Sequence, residues 1–311
     1  HTDEYVSAVM AFSRGQMLAE QSRYNFDIFG DNPTYIGMYD AAALVVGGSV
    51  LSADILLNGG ADVIFNSSGG LHHAGADGAS GFCVFNDAVI AINHMIHRGL
   101  RVAYVDIDVH HGDGVQNAFY STDQVLTISL HESGEYLFPG TGNTTEWGSG
   151  TAKGYAVNVP LAPYTDDETY LWAFRAIVPP LIDSFKPDLL VTQLGIDTHF
   201  SDPLAHLSLT SEGYSQVIRQ FGQLSCKWLA LGGGGYNVEA VARCWTLAYG
   251  VMIGKDWPDK IPERLRGKYG IISLRDPEIP QLAPGVKAKT LSLARRSVQE
   301  IQDNIFPIHG L

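Results

Sequence analysis

Residues 101–114 read Arg101-Val102-Ala103-Tyr104-Val105-Asp106-Ile107-Asp108-Val109-His110-His111-Gly112-Asp113-Gly114. The first half is an apolar, β-branched run of strand length, and the second is a string of carboxylates, imidazoles and glycines. A buried strand that ends this way points to a sheet whose chemistry sits at the carboxyl ends of its strands, as in open α/β folds. Aspartates that begin inside an apolar run are costly to bury unless a cation or hydrogen bonds balance them.

Similar runs recur on both sides of this stretch, at 62–66, 125–130, 155–159, 188–194 and 227–231, each bounded by Gly, Pro, Asn or Asp. Between them, amphipathic segments predict helices over 39–58, 86–98, 114–120, 166–185, 211–223 and 238–250. Pro179-Pro180 predicts a kink in the fourth. This alternation predicts a three-layer α/β/α sandwich with a mostly parallel sheet, and with no linker or repeat it predicts one domain over 1–311. The Gly-, Thr- and Ser-rich segment 131–153 is too long for a simple connector and predicts a loop that shapes a site. Beyond residue 254, Pro258, Pro262, Pro277, Pro280 and Pro284 predict an irregular wrap, followed by a terminal helix near 286–303.

Composition narrows the function. Of 311 residues 45% are hydrophobic and 17% charged, which supplies a sizeable core and argues against disorder. Thirty-three acidic against 20 basic residues give a formal charge of −13, which repels phosphate and argues against a general affinity for nucleic acid, so no direct nucleic-acid partner is expected. Cys83, Cys226 and Cys244 are odd in number and show no CxxC spacing, so a reducing, cytoplasmic setting is expected. No apolar run is read as reaching membrane-spanning length. The start His1-Thr2-Asp3-Glu4 lacks the layout of a signal peptide, so no membrane partner is expected.

Four polar clusters each follow a strand. His72-His73 come after 62–66 through Ser67-Ser68-Gly69-Gly70; Asp106 to Asp113 close 101–107; Asp197 and His199 follow 188–194; Tyr236 follows 227–231 through four glycines. Residues two apart on a strand share a face at about 6.6 Å, so Asp108 and His110 can close on one ion, with Asp197 as a third ligand. Asp106 is about 13 Å from His110 on an extended strand and is read as support for a ligand. One imidazole and two carboxylates leave room for water and substrate and suit Zn²⁺ or Fe²⁺. Pairing His72 with Asp106 and His73 with Asp113 would raise imidazole basicity, as a general base requires. For Asp113, just before 114–120, capping of that helix is an equally good reading. The Tyr236 hydroxyl can donate to a developing oxyanion. Gly232–Gly235 lacks the G-x-G-x-x-G spacing and the lysine of a phosphate loop, which argues against a nucleotide. His131, His199 and His206 have weaker cases, and His94 and His97 read as ordinary helix residues.

Gly69-Gly70-Leu71-His72-His73-Ala74, Gly81-Phe82-Cys83, Asp106 to Gly114, Phe138-Pro139-Gly140-Thr141-Gly142, Leu194-Gly195-Ile196-Asp197 and Gly232 to Tyr236, in this order, resemble the metal-dependent histone deacetylase family over residues 1 to about 255. Gly30-Asp31-Asn32-Pro33, Gly37-Met38-Tyr39, Asp197-Thr198-His199 and Asp202-Pro203-Leu204 are most similar to its bacterial and archaeal acetoin-utilisation members. The resemblance implies the arginase/deacetylase fold and hydrolysis of the acetyl amide of acetyl-lysine in proteins or peptides. It implies Asp108, His110 and Asp197 as metal ligands, water activated with the help of His73, proton-transfer support from His72, and Tyr236 polarising the acetyl carbonyl. Asp106 and Asp113 would orient the two imidazoles. Gly81, Phe82, Phe138 and Gly234 would line the substrate tunnel, with Asp31 and Leu204 at its rim. Structural K⁺ would bind at Asp106, Asp108, His110, Ser129 and Leu130, and at a second site formed by Phe119, Thr122, Val125 and Tyr155.

Family members carry a further N-terminal segment, with the first strand and an arginine lining an acetate cavity, which this chain is expected to lack. Leu71 replaces the aromatic residue of many eukaryotic members, and Leu204 replaces the glutamate of polyamine-selective ones. Three alternatives accompany the deacetylase reading: an acetylpolyamine or other small-amide amidohydrolase, an arginase-like two-metal ureohydrolase, and a non-catalytic fragment that binds acylated ligands.

Overall fold

The protein is described by a computed structural model over residues 1–16, 21–27 and 30–311. Six strands, β1 Val63–Asn66, β2 Val102–Asp106, β3 Val125–Glu132, β4 Ala156–Leu161, β5 Leu189–Gln193 and β6 Lys227–Leu231, form one sheet. The order is β1-β6-β5-β2-β3-β4 and every pair is parallel. Each strand lies within two residues of its predicted run. The helices are α1 Asp3–Ser13, α2 Met38–Leu57, α3 Asp87–Ile96, α4 Asp113–Phe119, α5 Asp167–Phe185, α6 Ser211–Phe221, α7 Val238–Met252, α8 Glu263–Tyr269 and α9 Pro284–Asn304.

Side-chain alternation along the strands builds the three layers. On β2, Ala103 and Val105 join a core with α5, α6, α7 and α9, while Val102 and Tyr104 join a second core with α2, α3 and α4. Burial on both faces is why these strands read as continuous apolar runs. From β2 the chain moves outward through β3 and β4, then returns to place β5 on the other side of β2. The crevice between the carboxyl ends of β2 and β5 is therefore the point where the winding reverses, where ligands bind in such sheets.

Two expectations are corrected. Helices α1 and α8 lie outside the predicted set; α1 is capped by the Thr2 hydroxyl, which accepts from Tyr5 N–H, and it buries Tyr5, Val9 and Phe12. Helix α5 runs as one element through Pro179-Pro180. The carbonyls those prolines leave unpaired belong to the exposed Arg175 and the half-buried Ala176, where water can serve them. Finally, α2 is by length and composition apolar enough to cross a membrane, because its two carboxylates do not offset its Ala, Leu and Val content. In this fold it packs on α1, α3, β1 and β6, and it leaves Leu44 and Leu51 exposed.

The C-terminal wrap is tied down by Asp276. Its buried carboxylate accepts from the Ser211 N–H at 2.7 Å, faces His199 Nε2 at 3.1 Å and pairs with the Arg243 guanidinium at 2.8 Å. Burial opposes the charge, but these partners prevail and hold the carboxyl well below the usual carboxylate range. A depressed carboxylate pKa adds stability above the unfolded value of about 3.9, and that stability is lost as the pH falls below it. In urea titrations Asp276→Asn should therefore be less stable than wild type at pH 7, with the difference shrinking as the pH drops from about 5 to 3. A pH-independent difference would contradict this account.

Candidate active site

Strand β2 ends at Asp106, and the chain then coils instead of extending. The Asp106 carboxylate accepts from Asp108 N–H at 3.1 Å, and the Asp108 carboxylate accepts from His110 N–H at 3.0 Å. These two local turns replace the extended spacing expected from the sequence. They aim His110 Nδ1 between Asp108 Oδ1 at 3.0 Å and Asp197 Oδ2 at 3.1 Å, the latter carried past β5. One donor atom from each of the three residues lies within 4.8 Å of the others, and all three residues are buried.

Electrostatics here call for a cation. Burial and the nearby Asp108 push the Asp197 carboxyl up to about 7. Burial alone would lower His110, but its bonds to Asp108 and Asp197 raise it to about 11. Two desolvated carboxylates thus hold a positive charge on the imidazole lodged between them. A borderline-soft divalent ion fits that donor set of one nitrogen and two oxygens.

Two carboxylate-supported imidazoles stand alongside. His72 Nδ1 lies 2.8 Å from Asp106 Oδ2, and His73 Nδ1 lies 2.7 Å from Asp113 Oδ1. A carboxylate can only accept, so each Nδ1 is the donor; Nε2 of His72 faces Asp108 Oδ1 at 3.9 Å. Burial opposes the charge on His72, but Asp106 and Asp108 raise it to about 9. The expectation that Asp113 would raise the basicity of His73 is corrected: burial and the neighbouring His72 charge outweigh the Asp113 bond and depress His73 to about 4. Near neutrality His72 is therefore protonated and His73 neutral, two adjacent rings set to opposite states. Of the two readings offered for Asp113, the structure supports the pairing with His73. The capping reading is corrected, because Asp113 is the first residue of α4, whose N-cap is Gly112 without a side-chain bond, and the backbone N–H that Oδ1 accepts from is that of the adjacent Gly114, at 2.9 Å.

These groups line a cleft of about 230 Å³ formed by Gly70, Leu71, His72, His73, Gly81, Phe82, Cys83, Asp108, His110, Gly233, Gly234, Gly235 and Tyr236. Phe82 packs edge-on to Tyr236 with centroids 5.9 Å apart, and Phe138 packs edge-on to His73 at 5.0 Å. Gly81 sits so close that a Cβ there would strike the His73 ring. Burial and the Asp108 and Asp197 charges push the Tyr236 phenol up, so it is a donor. The tetraglycine is explained by the protein's own groups: a Cβ at Gly233 would collide with Gln193, and one at Gly234 with Asp197 and Asp108. Asp31 and Leu204 are exposed and do not line this cleft; Leu204 lies on the turn that follows Asp197. Asp106 and Ser129 are register partners on β2 and β3. Phe119, Thr122, Val125 and Tyr155 fall at the opposite end of β3, where the Tyr155 carbonyl accepts from Thr127 N–H.

Several supporting residues were not anticipated. Gln193 donates to Asp108 Oδ2 at 2.6 Å, and Tyr104 donates to Asp106 Oδ2 at 2.7 Å. Their signal was available, a polar side chain within each of two apolar strands. The fully buried Asp87 accepts from Ser49 Oγ at 2.5 Å, Gly70 N–H at 3.0 Å and Leu71 N–H at 2.8 Å, which fixes the turn that delivers His72. In sequence it looked like an ordinary first-turn carboxylate.

Such a site at the winding reversal of a parallel sheet defines a metal-dependent hydrolase. The histone deacetylase domain matches residues 1–252. Acetoin utilization protein AcuC of Bacillus subtilis (strain 168) is 42% identical over 269 residues, covering 84% of this chain and 70% of that protein. Human histone deacetylase 1 is 40% identical over 264 residues, so the chain spans 54% of its length. A crystal structure of an HDAC homolog from Aquifex aeolicus superposes with a TM-score of 0.86 at 31% identity, covering 95% of this chain and 84% of that one. A crystal structure of an HDAC homolog complexed with SAHA matches equally well. The chain belongs to the histone deacetylase family.

Removing Asp87 leaves two buried N–H groups without acceptors, so Asp87→Ala should lower the unfolding free energy by about 2–4 kcal/mol. Ser49→Ala should cost about 1 kcal/mol. Chemical denaturation checks both, and equal losses would show that the backbone bonds to Asp87 carry no special weight.

Proposed function

We propose that the chain hydrolyses the acetyl amide of acetyl-lysine in proteins or peptides. The observation that carries this reading is that Asp108 and His110 of the Asp108–His110–Asp197 set, neutral His73 and protonated Tyr236 line one cleft of about 230 Å³ together with Phe82. A slot of that shape takes an unbranched alkyl stem and presents its terminal amide to the polar floor. Asp108, His110 and Asp197 hold Zn²⁺ or Fe²⁺, which when bound polarises the carbonyl and acidifies water.

The chain's own groups do the rest. His73 Nε2, with Asp113 fixing its tautomer, takes the proton of the attacking water. His72, held protonated by Asp106, stabilises charge developing beside it and supports proton transfer to the departing amine. The Tyr236 hydroxyl donates to the carbonyl oxygen as that atom gains charge. Phe82 and Phe138 flank the stem, with Gly81 and Gly234 giving it room; Leu204 and Asp31 meet the substrate outside the cleft. Asp106, Asp108, His110, Ser129 and Leu130 hold one K⁺, and Phe119, Thr122, Val125 and Tyr155 a second. The net charge of −13 supports an activity without direct nucleic-acid contact, and the fold's use of α2 as a packed layer supports one without a membrane.

Tyr236→Phe and His73→Ala should each lower kcat by about a hundredfold or more, with metal content by elemental analysis unchanged. Wild-type turnover in either variant would remove its assigned role. In a second assay, kcat/KM on an acetyl-lysine peptide should exceed that on acetylspermidine, because apolar Leu204 offers a cationic chain no partner; the reverse order would reassign the substrate.

A further inference from the structure

Tyr236 follows four glycines, which have no side chains with which to hold it. What fixes it is a turn that follows Asp197. Asp202 is buried; its Oδ2 accepts from Tyr236 N–H at 2.8 Å and its Oδ1 accepts from Leu204 N–H at 2.9 Å. The turn is closed by Asp202 N–H donating to the His199 carbonyl at 2.9 Å. On the far side of Tyr236, the Asn237 side chain donates to Ser201 Oγ at 2.8 Å, and that hydroxyl bonds His199 Nδ1 at 2.8 Å. His199 is in turn held by Asp276. The chain on either side of the tyrosine is thus pinned to one turn, whose Asp202 and His199 are buried, and the carboxylate that pins its amide also pins the amide of Leu204.

We propose that Asp202 is a positioning residue that sets the reach of the Tyr236 hydroxyl into the cleft and ties it to Leu204. The proposal rests on the reading of Tyr236 as the donor to the carbonyl oxygen. A hydroxyl bond to an oxyanion is sensitive to distance, and a displacement of about 1 Å at a positioned group can cost about a hundredfold in rate. A carboxylate satisfies both N–H groups at once. Alanine satisfies neither, and asparagine retains a single acceptor oxygen.

The test is a double-mutant cycle between Asp202→Ala and Tyr236→Phe on the metal-loaded full chain, with Asp202→Asn as a milder variant. Asp202→Ala should lower kcat about tenfold to a hundredfold in the wild-type background and less than about threefold on Tyr236→Phe; Asp202→Asn should fall between. Amide hydrogen exchange supplies a readout independent of turnover: the Tyr236 and Leu204 amides should exchange faster in Asp202→Ala, while the central amides of α7 keep wild-type rates. The proposal is overturned by a kcat within twofold of wild type, by an equal loss in both backgrounds, or by exchange that rises throughout α7. If the wild-type chain fails to deacetylate the peptide, the functional reading falls, and the exchange measurement still decides whether Asp202 holds Tyr236.

Discussion

Three carboxylates, Asp106, Asp108 and Asp197, are buried together where β2 and β5 end, and most of what surrounds them exists to make that tolerable. Water no longer solvates them, so every lone pair needs a donor and the cluster needs positive charge. Gln193, Tyr104 and the N–H groups of Asp108, Val109, His110 and Gly234 supply the donors. His72 and His110 supply charge, each raised well above ordinary imidazole basicity. The glycines follow from the same requirement, since backbone must come within hydrogen-bonding distance of carboxylate with no side chain between.

The same cluster separates the two neighbouring histidines. His72 faces Asp106 and Asp108, whereas His73 faces the single, less buried Asp113 and the His72 charge beside it. One sequence dipeptide therefore yields a cation and a free base, with roles set by what each ring touches.

Much of this was legible before any coordinates. Six apolar runs punctuated by glycine, proline and carboxamides located the strands, because strands buried on both faces admit little else. Polar clusters after four of them marked the candidate site that the fold brings together, since His and Asp beside apolar runs have few cheap explanations. Partners that mimic ordinary features were harder to read. Asp87 looks like any acidic residue in a helix first turn, Gln193 hides at the end of an apolar strand, and Asp202 belongs to a turn whose role depends on a residue 34 positions away. The extended geometry assumed for residues 106–110 failed for a local reason, the side-chain bonds that coil the segment. The composition of α2 concealed that an apolar helix can form a packed layer of a sandwich and still satisfy a span's length and hydropathy.

The sheet order carries a consequence for how the molecule is made. Asp108, Asp197 and Tyr236 follow the neighbouring strands β2, β5 and β6, yet Asp197 lies 88 residues from the Val109 amide that it accepts from and Tyr236 lies 34 residues from Asp202. No single βαβ unit brings the three together. Loop-closure entropy must be met before any of these contacts rewards the chain, a pattern of slow, late assembly. Whatever binds the completed cluster therefore recognises a finished protein, and by mass action it draws the folding equilibrium toward that state.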